Sequence, residues 1–333
     1  MIENLLSSPP SWLNFGIFFL LATILLFVIL GFVTYGILAE RKVMGFMQAR
    51  MGPNQVGGRW GLLQTVADVL KLLLKEDVIP KAADKPLFIL APVIAFAPAF
   101  MVVAALPFTD SYKFADIGVG LLYYVAVSGI TTVGIVAGGW ASNNKYALMG
   151  GMRAAAQMIS YEIPLVMSVI GVILLSGSLN LSDIVEAQDK VWFIFAQPIA
   201  FVVFFIASVA ELNRVPFDLP EAESEIVAGF HIEYSGFRWA FFMLAEYVYM
   251  FAMAALTTVL FLGGWKPVLF LGFIPGAVWF ALKFSLVIFV LIWFRSTFPR
   301  LRADRLMEFG WKVLLPIALA NIFLSALIKE LFF

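Results

Sequence analysis

Long apolar stretches separated by short polar segments make up most of this chain. A helix that crosses a membrane needs about 20 consecutive, mostly apolar residues. The pattern therefore predicts an all-α integral membrane protein in which residues 1–333 form a single multi-pass membrane domain. We predict eight transmembrane helices, at roughly 12–39, 86–107, 117–140, 157–177, 191–212, 239–263, 272–294 and 311–331.

One apolar segment has helical periodicity but is too short to cross a membrane. Apolar residues such as Val66, Leu70 and Leu73 recur on one face, while Asp68 and Lys71 lie on the other. This pattern predicts an amphipathic helix over residues 60–75 that lies in the cytoplasmic-side membrane interface. Either the helix only floats on lipid, or it forms the wall of an opening through which a lipid-soluble molecule enters from the bilayer.

Basic residues indicate the orientation of the predicted spans. In an eight-span arrangement, seventeen Lys and Arg residues fall on one side and four on the other. Because loops rich in Lys and Arg remain in the cytoplasm, the basic side is cytoplasmic, or the equivalent matrix or stromal side. Both chain termini are then expected on the non-cytoplasmic side.

The composition excludes several kinds of chemistry. Hydrophobic residues make up 62% of the chain and charged residues 13%, against about 25% charged residues in soluble domains. The formal net charge of zero gives no indication of nucleic-acid binding. Cysteine is absent and His231 is the single histidine, so the sequence lacks thiolate ligands for iron–sulfur clusters and an imidazole pair for haem or zinc. Electrons in any redox reaction must be carried by another subunit.

Three glutamates lie inside or at the rim of predicted spans. Glu162, Glu211 and Glu246 belong to the fourth, fifth and sixth spans respectively. A carboxylate in hydrocarbon costs several kcal/mol unless it is paired, protonated or hydrated. Three such residues in three spans predict a polar proton path through the interior of the bundle.

The loop over residues 213–238 is acidic, although it lies on the basic side of the membrane. Its carboxylates are either a solvated cap or part of a loop packed into the protein, and the apolar residues between them favour packing. Packed carboxylates that repel one another have raised pKa values and titrate together, as proton uptake near neutral pH requires. The loop's acidic residues are Asp218, Glu221, Glu223, Glu225 and Glu233.

Lys283 lies near the middle of the seventh predicted span. A lysine at this depth is expected to pair with a carboxylate or to have a lowered pKa. Glu246 and Glu162 are the candidate partners, and the sequence does not choose between them. Snorkelling of the side chain to the interface is the alternative.

Three long segments resemble a known family. They are AERKVMGFMQARMGPNQVG, NNKYALMGGMRAAAQMISYEIP and AELNRVPFDLPEAESEIVAGFHIEYSGF, and the final RSTFPRLRADRLM segment agrees with them. Together with the order of spans and the amphipathic helix, they resemble the family of membrane-arm H subunits, also called subunit 1, of respiratory complex I. The resemblance covers essentially the whole chain.

The resemblance implies a component of a proton-translocating NADH–quinone oxidoreductase in the bacterial cell membrane. It implies that Arg41, Arg50 and Asp68 line the quinone chamber, with quinone as substrate. The carboxylates of the spans and of the acidic loop, together with Lys283, would form the path that links quinone reduction to proton translocation. FMN and iron–sulfur clusters are expected in partner subunits, and no catalytic residue, metal ligand or redox centre is expected in this chain.

The same resemblance implies which partners the chain has. These are the peripheral-arm subunits that carry the quinone site and iron–sulfur clusters, the antiporter-like membrane subunits, and membrane lipid, but no nucleic acid. Two alternatives remain open at this point. The chain could anchor a related hydrogenase-type or ferredoxin-fed complex, or it could be a stand-alone secondary transporter.

Overall fold

The computed structural model describes residues 12–110, 113–220, 223–267 and 273–332. Within these ranges every regular element is helical. Two short segments depart from α geometry: a 3₁₀ helix at Gly229–His231 and a π-helical stretch at Gly310–Leu314. The α-helices are α1 (Trp12–Met47), α2 (Gln64–Leu74), α3 (Lys85–Ala104), α4 (Gly120–Ala141), α5 (Lys145–Ser176), α6 (Leu181–Glu186), α7 (Phe193–Ala196), α8 (Pro198–Glu211), α9 (Glu223–Ile226), α10 (Gly236–Phe261), α11 (Gly276–Thr297), α12 (Ala303–Phe309) and α13 (Leu315–Phe332).

Seven helical segments of the described chain are long and apolar enough to cross a membrane. They are α1, α3, α4, α5, α10, α11 and the continuous run from α12 through α13. They correspond to seven of the eight predicted spans, although their ends differ. For example, α5 begins at Lys145 instead of near residue 157, because Asn144 caps its first turn by accepting a hydrogen bond from the backbone N–H of Tyr146.

The fifth predicted span is not one continuous helix. It is divided into α7 and α8 at Gln197, whose φ of −137° and ψ of 63° are not helical. Pro198 explains the break, since the proline ring disfavours helical geometry at the preceding residue but suits the first position of a new helix. With 14 residues, α8 rises about 21 Å, which is less than the hydrocarbon thickness of about 30 Å. The eighth crossing therefore stays a prediction.

The chain divides into two compact units at the boundary between Leu74 and Lys75. In the first unit, α2 lies within the predicted range 60–75 and packs against α1. Its apolar face is open: Val66, Leu70 and Leu73 are 43%, 54% and 53% exposed. This exposure fits an amphipathic helix, and its location in a membrane interface stays a prediction, as does a single membrane domain over residues 1–333.

In the second unit, α5 is the central helix and contacts α4, α8 and α13. Neighbouring helices approach one another closely where glycine replaces larger residues. A Cβ at Gly134 of α4 would lie 2.5 Å from the backbone nitrogen of Ala95 in α3, so only glycine permits this contact. The apolar core beside it includes Phe88 and Tyr234, whose rings stack with centroids 4.1 Å apart.

The acidic loop is packed into this unit. Phe217, Leu219, Ile226 and Phe230 are each buried, with 2–6% of their surface exposed. The 3₁₀ helix that follows lies directly on α5, where Gly150 leaves room for the backbone of the loop. The prediction of a packed loop, in preference to a solvated cap, is therefore confirmed for its described residues.

Candidate functional site

A small cavity lies between α3, α4, α8 and α10 in the second unit. Glu211 at the end of α8 and Glu246 of α10 both line it, together with Asn213, Thr131 and Tyr249. Its volume is about 50 Å³, and about 10–15 Å³ is enough for one water. The structure therefore brings two of the three predicted span carboxylates to one water-sized cavity.

Glu246 is paired with a buried arginine from the acidic loop. The distance from Arg214 Nε to Glu246 Oε1 is 2.9 Å, and the Arg214 side chain is only 3% exposed. The guanidinium also lies over the ring of Tyr247, with its carbon 4.7 Å from the ring centroid. Removing either partner of such a pair would leave an uncompensated charge inside the bundle.

Glu211 has a different environment. It is 8% exposed, and its Oε2 has no hydrogen-bond partner among the described residues. The Ser128 hydroxyl lies beside its carboxyl group, and Glu162 is near enough to act on it as a like charge. The cavity thus combines one carboxylate matched by a cation with one that is not.

Hydroxyl groups of α4 and α10 extend this polar region. Thr131 Oγ1 donates a hydrogen bond of 2.9 Å to Tyr249 Oη, which donates one of 3.1 Å to the Ser128 carbonyl. Tyr124 is buried near Glu211. None of these hydroxyl groups was placed in the proton path predicted from the sequence. The signal for the tyrosines was a tyrosine in an apolar span.

Glu162 does not line the cavity. It lies on the outer face of α5, in a shallow groove with Ile159, Ile163 and Val166. Its carboxylate approaches α4 at Gly129, where an added Cβ would lie 3.3 Å from Glu162 Oε1. The structure therefore places Glu162 close enough to Glu211 for their charges to interact, but Glu162 remains partly exposed at the surface of the protein.

A buried glutamine fixes the turn that carries Glu211 and Arg214. Gln157 Nε2 donates to the Ala210 carbonyl at 2.7 Å, the Phe217 carbonyl at 2.7 Å and Asn213 Oδ1 at 3.1 Å. Its side chain is fully buried. This residue was missed by sequence reasoning, although a glutamine within an apolar span was the available signal. Gln157 thus joins the turn between Glu211 and Phe217 to α5.

The described carboxylates of the acidic loop have partners, which corrects the expectation of mutual repulsion. They form three contacts: Arg300–Asp218 at 2.7 Å, Arg153–Glu225 at 2.6 Å and Asn144–Glu233 at 2.6 Å. The loop remains packed because cations and an amide from other elements compensate its charge. Glu221 lies outside the described residues, and Glu223 is described only as the backbone start of α9.

Burial shifts the pKa values of two titratable groups in this loop. Burial raises the pKa of Asp218, and the nearby guanidinium of Arg300 opposes that shift. Burial lowers the pKa of His231 to about 4, so its imidazole is neutral at ordinary pH.

Among the described residues no carboxylate pairs with Lys283, so pairing with Glu246 or Glu162, one of the two outcomes expected for this lysine, is wrong. Its Nζ donates to the carbonyls of Leu262, Gly264 and Lys266 at 2.6, 3.1 and 2.7 Å. It also lies 4.1 Å from the ring centroid of Trp192. The last carbonyls of a helix lack intrahelical partners. Lys283 supplies donors to the turn that follows α10, where Gly264 has a positive φ of 50°.

In the first unit, the structure brings together two of the three predicted quinone-site residues. Arg41 of α1 and Asp68 of α2 form an ion pair of 2.5 Å, and Gln64 Nε2 donates to the same carboxylate at 3.3 Å. Arg50 is directed elsewhere and donates to Gln48 Oε1 at 2.7 Å. The ion pair therefore joins the end of the first span to the amphipathic helix.

No group of three or more His, Cys, Asp or Glu residues that could hold a metal ion is found in the described part of the chain. The candidate site consists of carboxyl, hydroxyl and guanidinium groups. Together with seven apolar helices, it defines the chain as a multi-pass, all-helical membrane protein whose bundle encloses ionisable side chains.

Known proteins identify the family. A family profile described as NADH dehydrogenase matches residues 20–326. The H subunits of NADH-quinone oxidoreductase from Bacillus mycoides (strain KBAB4) and from Geobacillus sp. (strain WCH70) are each 82% identical to this chain over 333 residues. The corresponding protein from Bacillus cereus (strain B4264) is 83% identical, and each alignment covers both proteins completely. The chain therefore belongs to the NADH dehydrogenase family, in the group of H subunits of NADH-quinone oxidoreductase, which confirms the resemblance seen in the sequence.

Proposed function

We propose that this chain is the membrane-arm subunit that couples quinone reduction to proton translocation in an NADH–quinone oxidoreductase. The observation that carries the proposal is the water-sized cavity in which Glu211, which pairs with no cation among the described residues, lies beside Glu246, which pairs with Arg214. Electrons would reach the quinone from FMN and iron–sulfur clusters in partner subunits. The chain itself would supply part of the quinone chamber and the groups that respond to quinone charge.

The first step of the proposed mechanism is electrostatic. Reduction of a quinone to a quinol consumes two protons and transiently places negative charge on the head group. In a medium of low dielectric constant, such a charge acts strongly on nearby ionisable groups. The packed acidic loop, with Asp218 held by Arg300 and Glu225 held by Arg153, would respond by exchanging partners.

The second step would take place in the cavity. Arg214 belongs to the turn that follows Glu211 at the end of α8, and Gln157 links this turn to α5. A shift of this turn would weaken the Arg214–Glu246 pair and change the field at Glu211. A buried carboxylate that is not matched by a cation is stable when it is protonated or hydrated, so Glu211 is the group that would take up and release the proton.

Glu162 would connect this cavity to the next subunit. Its position on the outer face of α5, near Glu211 and open to the surface, supports transfer of protons or polarisation toward the antiporter-like membrane subunits. Lys283 does not share this environment, since it contacts backbone carbonyls beyond the end of α10. We therefore leave Lys283 out of the proposed path.

The first unit would form the entrance for quinone. Two observations support this role: the apolar face of α2 is exposed, and the Arg41–Asp68 ion pair joins α2 to α1. Arg50 would contribute a second cation near the same chamber. Neutral quinones are soluble in lipid, so an amphipathic helix in the interface would form the wall of the opening through which they enter.

The proposed orientation follows from the basic residues. With eight crossings, the side that holds seventeen of the Lys and Arg residues would face the cytoplasm, and both termini would face the other side of the bacterial cell membrane. The acidic loop and the quinone entrance would then lie on the cytoplasmic side, where peripheral-arm subunits can dock.

The test uses the assembled complex in membranes, with Glu211→Gln, Glu246→Gln and the exposed control Asp304→Asn. Quinone reduction and protons translocated per electron are measured together. We expect both glutamate variants to translocate fewer protons per electron than the control. Full quinone reduction with full translocation in both glutamate variants would contradict the proposed path.

A further inference from the structure

An open apolar groove runs along α8 and shares no lining residue with the carboxylate cavity. Its first part is a space of about 460 Å³ between α8, α11 and α12, lined by Phe205, Phe294 and Phe298 among others. This part lies on the side proposed above to be cytoplasmic. Its second part is a space of about 430 Å³ between α8 and α13, lined by Val202 and Ile317 among others. Ile206 and Phe309 line both parts, so the two spaces adjoin.

The groove has a clear physical origin. Pro198 begins α8 after the break at Gln197, and the short helix lies between two longer ones, which stand on either side of it. The lining side chains are almost all aliphatic or aromatic. Such a surface has few groups that form hydrogen bonds with water, so contact with a hydrocarbon chain is favoured.

The length of the groove matches one leaflet of a bilayer. The 14 residues of α8 rise about 21 Å, and the lining residues run from Pro198 to Val209. The hydrocarbon core is about 30 Å thick, so one leaflet contributes about 15 Å. A single extended acyl chain therefore fits along the groove from its cytoplasmic mouth.

An arginine stands at that mouth. Arg305 lines the first part of the groove, and its side chain is 76% exposed. Its acidic neighbour Glu308 lies 3.8 Å away and is bound more closely by Lys312, at 2.9 Å. The Arg305 guanidinium thus retains donors for another anion. Arginine binds phosphate with two parallel hydrogen bonds, and anionic phospholipids occur at the cytoplasmic surface.

We propose that this groove is a binding site for an anionic phospholipid, with one acyl chain along α8 and the phosphate held by Arg305. This site is separate from the coupling path proposed above, although its placement on the cytoplasmic side rests on the orientation proposed there. The chief competing occupant is a transmembrane helix of a partner subunit, and a second is the tail of a quinone. The charge at the mouth distinguishes phospholipid from both, because neither competitor requires a phosphate-binding group there.

The first experiment measures which lipid stays with the assembled complex after delipidation. The complex is equilibrated with phosphatidylglycerol carrying deuterated chains, washed in detergent and extracted for mass spectrometry. Arg305→Gln is expected to retain this lipid about tenfold more weakly at the site, since a charge-assisted contact is lost. Lys145→Gln, which removes a cytoplasmic-side cation that does not line the groove, is the matched control. Equal retention in both variants would overturn the proposal.

The second experiment identifies the occupant directly and does not require a destabilising change. Val202 is 52% exposed in the groove and is replaced by the photoreactive p-benzoylphenylalanine in membranes. Irradiation is expected to give an adduct whose added mass is that of a phospholipid. An adduct to another polypeptide, or to a quinone, would overturn the assignment. Neither result would bear on proton translocation, so failure here remains distinct from failure of the coupling proposal.

Discussion

Two buried cations in the same bundle meet opposite kinds of acceptor. Arg214 is 3% exposed and pairs with the carboxylate of Glu246, whereas Lys283 is 7% exposed and binds three backbone carbonyls. Both cations reach α10 or the turn that follows it. Glu246 and Leu262 are separated by about 24 Å along that helix, so one site lies near its middle and the other at its C-terminal end.

This difference indicates that the Arg214–Glu246 pair can respond to a nearby charge, whereas Lys283 stabilises the fold. Glu246, the partner of Arg214, lines a water-sized cavity that Glu211 also lines. The charges of this pair therefore have an alternative arrangement. The carbonyls around Lys283 cannot gain or lose protons, and their positions are fixed by the backbone turn. A lysine in a membrane span is therefore not by itself evidence for a proton path.

Removal of Arg214 should have the largest effect. In Arg214→Met, Glu246, whose side chain is 20% exposed, is left as a largely buried charge without its cation. Breaking a buried pair in this way costs about 3–5 kcal/mol. We expect little assembled complex and low residual activity, measured by native gel and by NADH–quinone reduction.

The matched control is Arg153→Met, which removes the partner of Glu225. Both of those side chains are partly exposed, at 28% and 48%, and such pairs contribute about 0–1 kcal/mol. Assembly should be nearly normal in this variant. Equal losses of assembled complex in the two variants would show that the burial of the Arg214 pair does not increase its contribution to stability.

Glu211→Gln should have the next largest effect, and it should affect function more than assembly. The amide keeps the shape of the side chain and removes a buried carboxyl group that lacks a cation, so folding does not depend on it. We expect normal assembly but a reduced ratio of protons translocated per electron, measured in inside-out vesicles. A normal ratio would exclude Glu211 from the path.

Lys283→Met should lower stability without changing coupling. The variant loses three charge-assisted hydrogen bonds to carbonyls, each of which contributes about 1.5–3 kcal/mol, and part of this loss is recovered when the lysine no longer has to be desolvated. We expect a lower thermal midpoint of the complex and an unchanged ratio of protons per electron. A changed ratio at normal stability would return Lys283 to the proton path.

The smallest expected effect concerns acid sensitivity. Burial lowers the pKa of His231 to about 4 from an ordinary value of 6.5. Its neutral form in the folded chain therefore contributes stability that is fully present above pH 6.5 and is lost as the pH falls toward 4. His231→Asn should reduce the loss of thermal stability between pH 6.5 and 4.5, and an unchanged pH profile would contradict this assignment.

The sequence was sufficient for those features that depend on length and periodicity. Seven spans, α2 and the packed acidic loop follow from runs of apolar residues and from their spacing. The break at Gln197 had a visible signal in Pro198, but the run of apolar residues around it obscured that signal. A proline at a helix start and a proline within a helix look the same until the preceding dihedral angles are known.

Partner choice was not predictable from the sequence. Glu246 could have met Lys283, yet the loop that follows α8 folds back and delivers Arg214 to it. Gln157 fixes that turn through contacts more than fifty residues away along the chain. Such contacts depend on how the helices pack, and no local pattern encodes them.

Infrared difference spectroscopy of the assembled complex during quinone reduction would decide whether Glu211 exchanges a proton in response to quinone charge. We predict a carboxyl C=O band that changes on reduction, shifts in heavy water and is lost in Glu211→Gln, while the exposed control Asp304→Asn retains it. If the complete band persists in Glu211→Gln, then Glu211 does not exchange the proton and the coupling role proposed for the cavity is wrong.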